Sequence, residues 1–158
     1  MNHLKREINI KATFDEFAKV QKFLDEIFDY FHIPERIYGS VYLTVEEALR
    51  NAIVHGSKGN VTENVRILFK KTIKGISFVI QDPGEGFNVA EITRNRWEKE
   101  YEGNGIFLIK SLTDEFSYNQ QGNKLTMSFV VSGIDPVSAL SRAVSLGNYL
   151  SGKRISVK

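Results

Sequence analysis

The chain has 158 residues, 42% hydrophobic and 25% charged, with a formal net charge of only +2 and no cysteine. That length suits one domain burying roughly 70% of the surface of its unfolded chain; the small, scattered positive charge argues against a nucleic-acid footprint, and the lack of thiols excludes disulfides and thiolate metal sites. No apolar run approaches the ~18 residues of a membrane span, and Met1 to Glu7 does not open as a signal peptide, so the expected location is the cytoplasm.

Leu4, Ile8 and Ile10 share a parity, which predicts a half-buried first strand. A helix follows from about Phe14 to Phe31, with Phe17, Val20, Leu24, Ile27, Phe28 and Phe31 at helical spacing. Pro34 stands where a second helix can begin, and Gly56-Ser57-Lys58-Gly59-Asn60 stops it after His55. Val65, Ile67 and Phe69, then Ile76, Phe78 and Ile80, alternate with other residues on either side of Lys74-Gly75 and predict an antiparallel hairpin. A long charged connection, Asn88 to Glu102, leads to a short apolar helix over Ile106–Leu112. Phe116 and Tyr118, a turn at Gln121-Gly122-Asn123, and Leu125, Met127, Phe129 and Val131 form a second hairpin. From Asp135-Pro136 to about Leu150 a last helix is expected. Its apolar residues fall on two sides, Val137, Leu140 and Val144 against Ala139, Ala143, Leu146 and Leu150, which suggests burial on the domain's own sheet or at a dimer or partner interface. Hairpin-joined strands with inserted helices predict an α+β, two-layer α/β sandwich: a mostly antiparallel mixed sheet with the helices on one face. Residues 1–133 form that domain and 134–158 a helical extension.

Three segments carry candidate chemistry. On the second helix Val41, Val45, Ala48, Leu49 and Ala52 face a core, while Ser40, Thr44, Glu47 and Asn51 fall together on another side with His55 beside them. Glu47 and Asn51 are one turn apart, so a carboxylate and an amide oxygen project together; Asn51 can coordinate Mg²⁺ and Glu47 can orient or deprotonate a hydroxyl. Glu46 points elsewhere. Asp82 has the parity of Ile76, Phe78 and Ile80, which aims its carboxylate toward the apolar layer, where the exocyclic amine of adenine would partner it. Gly84 and Gly86, before Phe87, let the backbone approach a flat base. Gly103-Asn104-Gly105 before Ile106 opens a helix whose amino end can receive phosphate. The charged connection between the glycine segments reads as a lid, with Arg94 or Arg96 reaching phosphate, or equally as a solvated surface helix around Trp97.

Glu47-x-x-x-Asn51, Asp82-x-Gly84-x-Gly86 and Gly103-x-Gly105 together resemble the N, G1 and G2 boxes of the GHKL ATPase superfamily, which includes gyrase, histidine kinases and MutL. Within it the short domain is similar to the bacterial anti-sigma factor serine/threonine kinases. The resemblance implies a Bergerat fold binding Mg·ATP, with Glu47 as base, Asn51 on Mg²⁺, Asp82 on adenine and Thr126 assisting there from a late strand. It also implies a sigma factor and an anti-sigma factor antagonist as protein partners, the antagonist being phosphorylated, and dimerisation. The segment Glu91-Ile92-Thr93-Arg94-Asn95-Arg96-Trp97 departs from the acidic, proline-rich lid of many relatives. The alternative is a regulatory module that binds ATP without turnover; a detached histidine-kinase catalytic domain is the third reading.

Overall fold

The structure, a computed structural model, describes residues 4–86, 105–131 and 144–150. Strand β1 (Lys5–Lys11) leads through a 3₁₀ turn at Phe14–Glu16 into α1 (Phe17–Tyr30); a second 3₁₀ turn at Glu35–Ile37 leads into α2 (Tyr38–Asn51). Then come β2 (Asn64–Lys71), β3 (Gly75–Gln81), α3 (Gly105–Leu112), β4 (Glu115–Tyr118) and β5 (Lys124–Val130). Residues 144–150 form a helix, α4.

The strands build one sheet in the order β1-β2-β3-β5-β4, and every described pairing is antiparallel. Alternation sets its inner face. Ile10 on β1, Val65, Ile67 and Phe69 on β2, Ile76, Phe78 and Ile80 on β3, and Leu125, Met127 and Phe129 on β5 are buried in one cluster with Val20, Leu24 and Ile27 of α1 and Val41, Val45, Ala48 and Leu49 of α2. The helices therefore cover one face, giving the two-layer α+β sandwich that the pattern predicts. Phe78 lies at its centre, fully buried, with Phe69 at 5.3 Å and Phe129 at 6.5 Å between ring centroids.

Local chemistry sets the helix ends. The Thr13 hydroxyl accepts from the Asp15 amide at 3.2 Å and starts the first helical segment. At the other end of α1, His32 takes a left-handed φ of 52° and the Ile33 amide donates to Phe28 O at 3.0 Å, closing the helix with a Schellman turn whose Ile33 is buried. Helix α2 ends differently from expectation. It does not run as an α-helix to His55: it is α-helical to Asn51 and widens into a π turn over Ala52–Gly56, closed by the Ser57 amide donating to Ala52 O at 2.9 Å. Such wide turns concentrate at functional sites because they re-aim the residues on their carboxyl side.

Replacing Phe78 by alanine should lower the unfolding free energy by about 3–5 kcal/mol, the usual cost of deleting a buried ring. Urea titration followed by circular dichroism measures it; a loss below about 1 kcal/mol would mean that the ring is not packed as described.

Candidate functional site

At the carboxyl end of α2 two glycines bring other chain segments against the polar side of the helix. The first is Gly105, the opening residue of α3, which packs on α2. A methyl group added there would stand 2.7 Å from Glu47 Oε2 and 3.5 Å from Asn51 Nδ2, so glycine lets the amino end of α3 lie against this pair without displacing the Glu47 carboxylate. Glu47 and Asn51 are both half-buried and one turn apart, as the periodicity predicts. A carboxylate, an amide and the amino terminus of an eight-residue helix thus converge on one spot. The Glu47 carboxylate faces residue 105 with Oε2 and the Asn51 amide faces it with Nδ2, so this spot offers one anionic acceptor and one N–H donor beside the start of α3.

Gly56 is the second glycine, at the end of the π turn. A methyl group on it would overlap the Asp82 carboxylate. Asp82 Oδ1 accepts from the Gly84 amide at 2.8 Å, and the Asp82 amide donates to Asn123 O at 3.0 Å. Asn123 Nδ2 in turn donates to Gly84 O at 3.2 Å. Asn119 fixes Asn123, its Oδ1 accepting from the amides of Gly122, Asn123 and Lys124 at 2.9, 3.0 and 3.1 Å. Gly86 takes a left-handed φ of 84° against the Gln121 carbonyl. The Asp82 turn is therefore held to the β4–β5 turn from both sides.

Burial raises the Asp82 carboxyl above its ordinary value; the amides of Gly84 and of Asp82 itself hold it back, and the charge of Glu63 pushes it further up. Tyr118 is pushed up to about 12, first by burial and then by Asp82. Ser57 Oγ is buried without a hydrogen-bond partner, as is Glu63 Oε2. This end of the site is an ionisable, partly desolvated patch that an incoming N–H donor would relieve.

Several expected positions fall elsewhere. Thr44 is not on the polar side: it is fully buried, its hydroxyl donating to Ser40 O at 2.7 Å and Val41 O at 3.0 Å. Glu46 turns away, as its place on the helix predicts, and pairs with Arg50 at 2.8 Å. His55 is exposed on the π turn. Thr126 pairs with Val79 on β3, offset by one from the inward-facing Leu125 and Met127, so it lies on the sheet face opposite the helices while Asp82 follows the inward parity of Phe78 and Ile80. Ile106 is buried in α3. Phe87, Gly103, Asn104 and the lid with Arg94 and Arg96 lie outside the described residues. Sequence reasoning missed Asn123, which it took for part of an ordinary hairpin turn; an asparagine beside glycine there was the available signal. It also missed Tyr149 on α4, whose hydroxyl donates to Glu47 Oε1 at 3.0 Å.

A family model for the histidine kinase-like ATPase domain matches residues 10–129, a span holding Glu47, Asn51, Asp82 and Gly105. No curated protein matches the sequence. Among solved structures, the fold is similar to the crystal structure of the RsbU and RsbW domains of Rv1364c from Mycobacterium tuberculosis, with a TM-score of 0.57 at 15% identity over 80% of this chain. The chain spans 32% of that one's length.

Asp82→Asn keeps an oxygen for the Gly84 amide and removes the buried charge. Because the folded-state pKa of Asp82 is raised, ionisation costs stability as pH rises through that value, and below the unfolded-state value nothing is lost. The variant should therefore melt at or above the wild-type temperature near pH 7, the difference vanishing on acidification through the carboxylate range. Calorimetric scans across pH measure this, and a variant less stable at neutral than at acid pH relative to wild type would contradict it.

Proposed function

The chain belongs to the histidine kinase-like ATPase family, and we propose that it is an ATP-dependent protein serine/threonine kinase acting as an anti-sigma regulatory factor. In this reading it binds a sigma factor in the cytoplasm and phosphorylates an anti-sigma factor antagonist, residues 1–133 forming the ATPase unit and 134–158 a helical extension. One observation carries the reading: Gly105 seats the amino end of α3 against Glu47 and Asn51 on one side of α2, while the same helix, a π turn later, meets Asp82. The resemblance of these residues to the boxes of the GHKL ATPases supports nucleotide binding, the likeness of the short domain to the anti-sigma factor kinases supports the choice of substrate class, and the fold likeness to a structure holding an RsbW domain agrees with it.

Each group then has one task. Asp82, fixed by Gly84 and Asn123, accepts from the exocyclic amine of adenine. The amides opening α3 face the phosphates. Asn51 would hold Mg²⁺, which takes few protein ligands and keeps waters and phosphate oxygens; when bound, the ion offsets phosphate charge. Glu47 orients the acceptor alcohol and takes its proton as the alcohol oxygen bonds to the γ-phosphorus and the bond to the ADP oxygen breaks. Excluding water from the acceptor falls to whatever covers Glu47.

Glu47→Ala should reduce Mg-dependent transfer of phosphate from ATP to a serine or threonine of the antagonist by about 10²–10⁴-fold, the usual contribution of a positioned base. Nucleotide binding, followed by calorimetry, should persist. Undiminished transfer would remove Glu47 from the role of base. A wild-type chain that binds Mg·ATP and phosphorylates no co-purifying protein would favour an ATP-shaped regulatory module.

A further inference from the structure

Helix α4 reaches the same carboxylate that the proposed chemistry needs. Within residues 144–150, the half-buried positions Ser145, Leu146 and Tyr149 share one face, whereas Val144, Gly147, Asn148 and Leu150 are exposed, so the helix docks by the side that carries Tyr149. Of the apolar residues that periodicity picks out, Leu146 shares this face and Val144 and Leu150 do not. Tyr149 Oη donates to Glu47 Oε1 at 3.0 Å, while Gly105 flanks the other oxygen, Oε2. Glu47 is bracketed by the amino end of α3 and by a phenol.

A hydroxyl donating to a general base from within about 2.6–3.2 Å is the arrangement an acceptor alcohol must adopt before it gives up its proton. Here a side chain of the same chain already holds that arrangement. We propose that Tyr149 is an internal stand-in for the acceptor, its phenol occupying the seat on Glu47 Oε1 that a substrate hydroxyl would take. This rests on Glu47 being the base. A phenol spans the distance from its backbone with a whole ring, whereas serine or threonine offers its hydroxyl one carbon from the backbone. A substrate segment must therefore bring its main chain nearer to Glu47 than α4 stands, and the two cannot share the seat: the partner gains access by displacing α4. Until then the phenol also denies the same oxygen to water, so the stand-in suppresses idle ATP hydrolysis.

The test uses the full chain and its basal hydrolysis of Mg·ATP, with nucleotide binding measured in parallel by calorimetry. Tyr149→Phe keeps the ring and removes only the donor; hydrolysis should rise about tenfold or more, the size expected for losing one hydrogen bond to a charged group. Tyr149→Ala should raise it further, and neither variant should alter nucleotide affinity. In the Glu47→Gln background, Tyr149→Phe should change nothing, because the effect runs through that carboxylate. Equal hydrolysis by wild type, Tyr149→Phe and Tyr149→Ala, all binding Mg·ATP, would overturn the inference. So would phosphotyrosine at residue 149 after incubation with Mg·ATP, detected by mass spectrometry, since Tyr149 would then be a substrate. A wild-type chain unable to bind Mg·ATP would overturn the functional reading itself and the stand-in with it.

Discussion

Two backbone-to-side-chain approaches, Gly56 against Asp82 and Gly105 against Glu47, determine everything that can happen at this site. Each works because a Cβ at the glycine would crowd a carboxylate. Carboxylates are costly to desolvate alone, and here both sit at the seam between α2 and its neighbours, near amide donors that moderate the cost. The Gly84 amide serves Asp82, and the amino end of α3 lies beside Glu47. The apolar sandwich beneath, centred on Phe69, Phe78 and Phe129, is ordinary in kind; its task is to hold α2 so that one helix addresses both ends of the site.

Much of this was legible from residue spacing. Alternation put Phe78 and Ile80 inward and so aimed Asp82 at the helices, and the 3.6-residue period put Glu47 and Asn51 together. Thr44 was misplaced because a threonine in a helix can satisfy its hydroxyl on its own preceding carbonyls and pass for an apolar residue, so residue polarity does not fix which way it faces. The assignment of Thr126 to the adenine end rested on the resemblance and ran against the chain's own alternation: with Leu125 and Met127 inward, the residue between them faces out. Asn123, with the inward parity of Leu125, is the β5-side residue that holds the Asp82 turn.

Other features left no periodic trace. A π turn differs from an α turn by one residue, and nothing in Ala52-Ile53-Val54-His55-Gly56 distinguishes them in the sequence. Contact between Tyr149 and Glu47 joins positions 102 residues apart, and pairings of that range are set by tertiary packing rather than local pattern. Of the apolar residues of the last helix, the described part half-buries Leu146 and leaves Val144 and Leu150 exposed, with Tyr149 reaching Glu47.

The π turn also divides the helix into two separately adjustable halves. An added residue in a helical turn shifts the phase of every later residue by about 100°, and its deletion would restore the ordinary phase. Loss of one residue between 52 and 56 would thus swing Gly56 away from Asp82 while leaving Glu47 and Asn51 upstream in register. The Asp82 end and the Glu47–Asn51 end are in this way separable along a single rod, so a change of length in the turn re-aims the first and leaves the second in place.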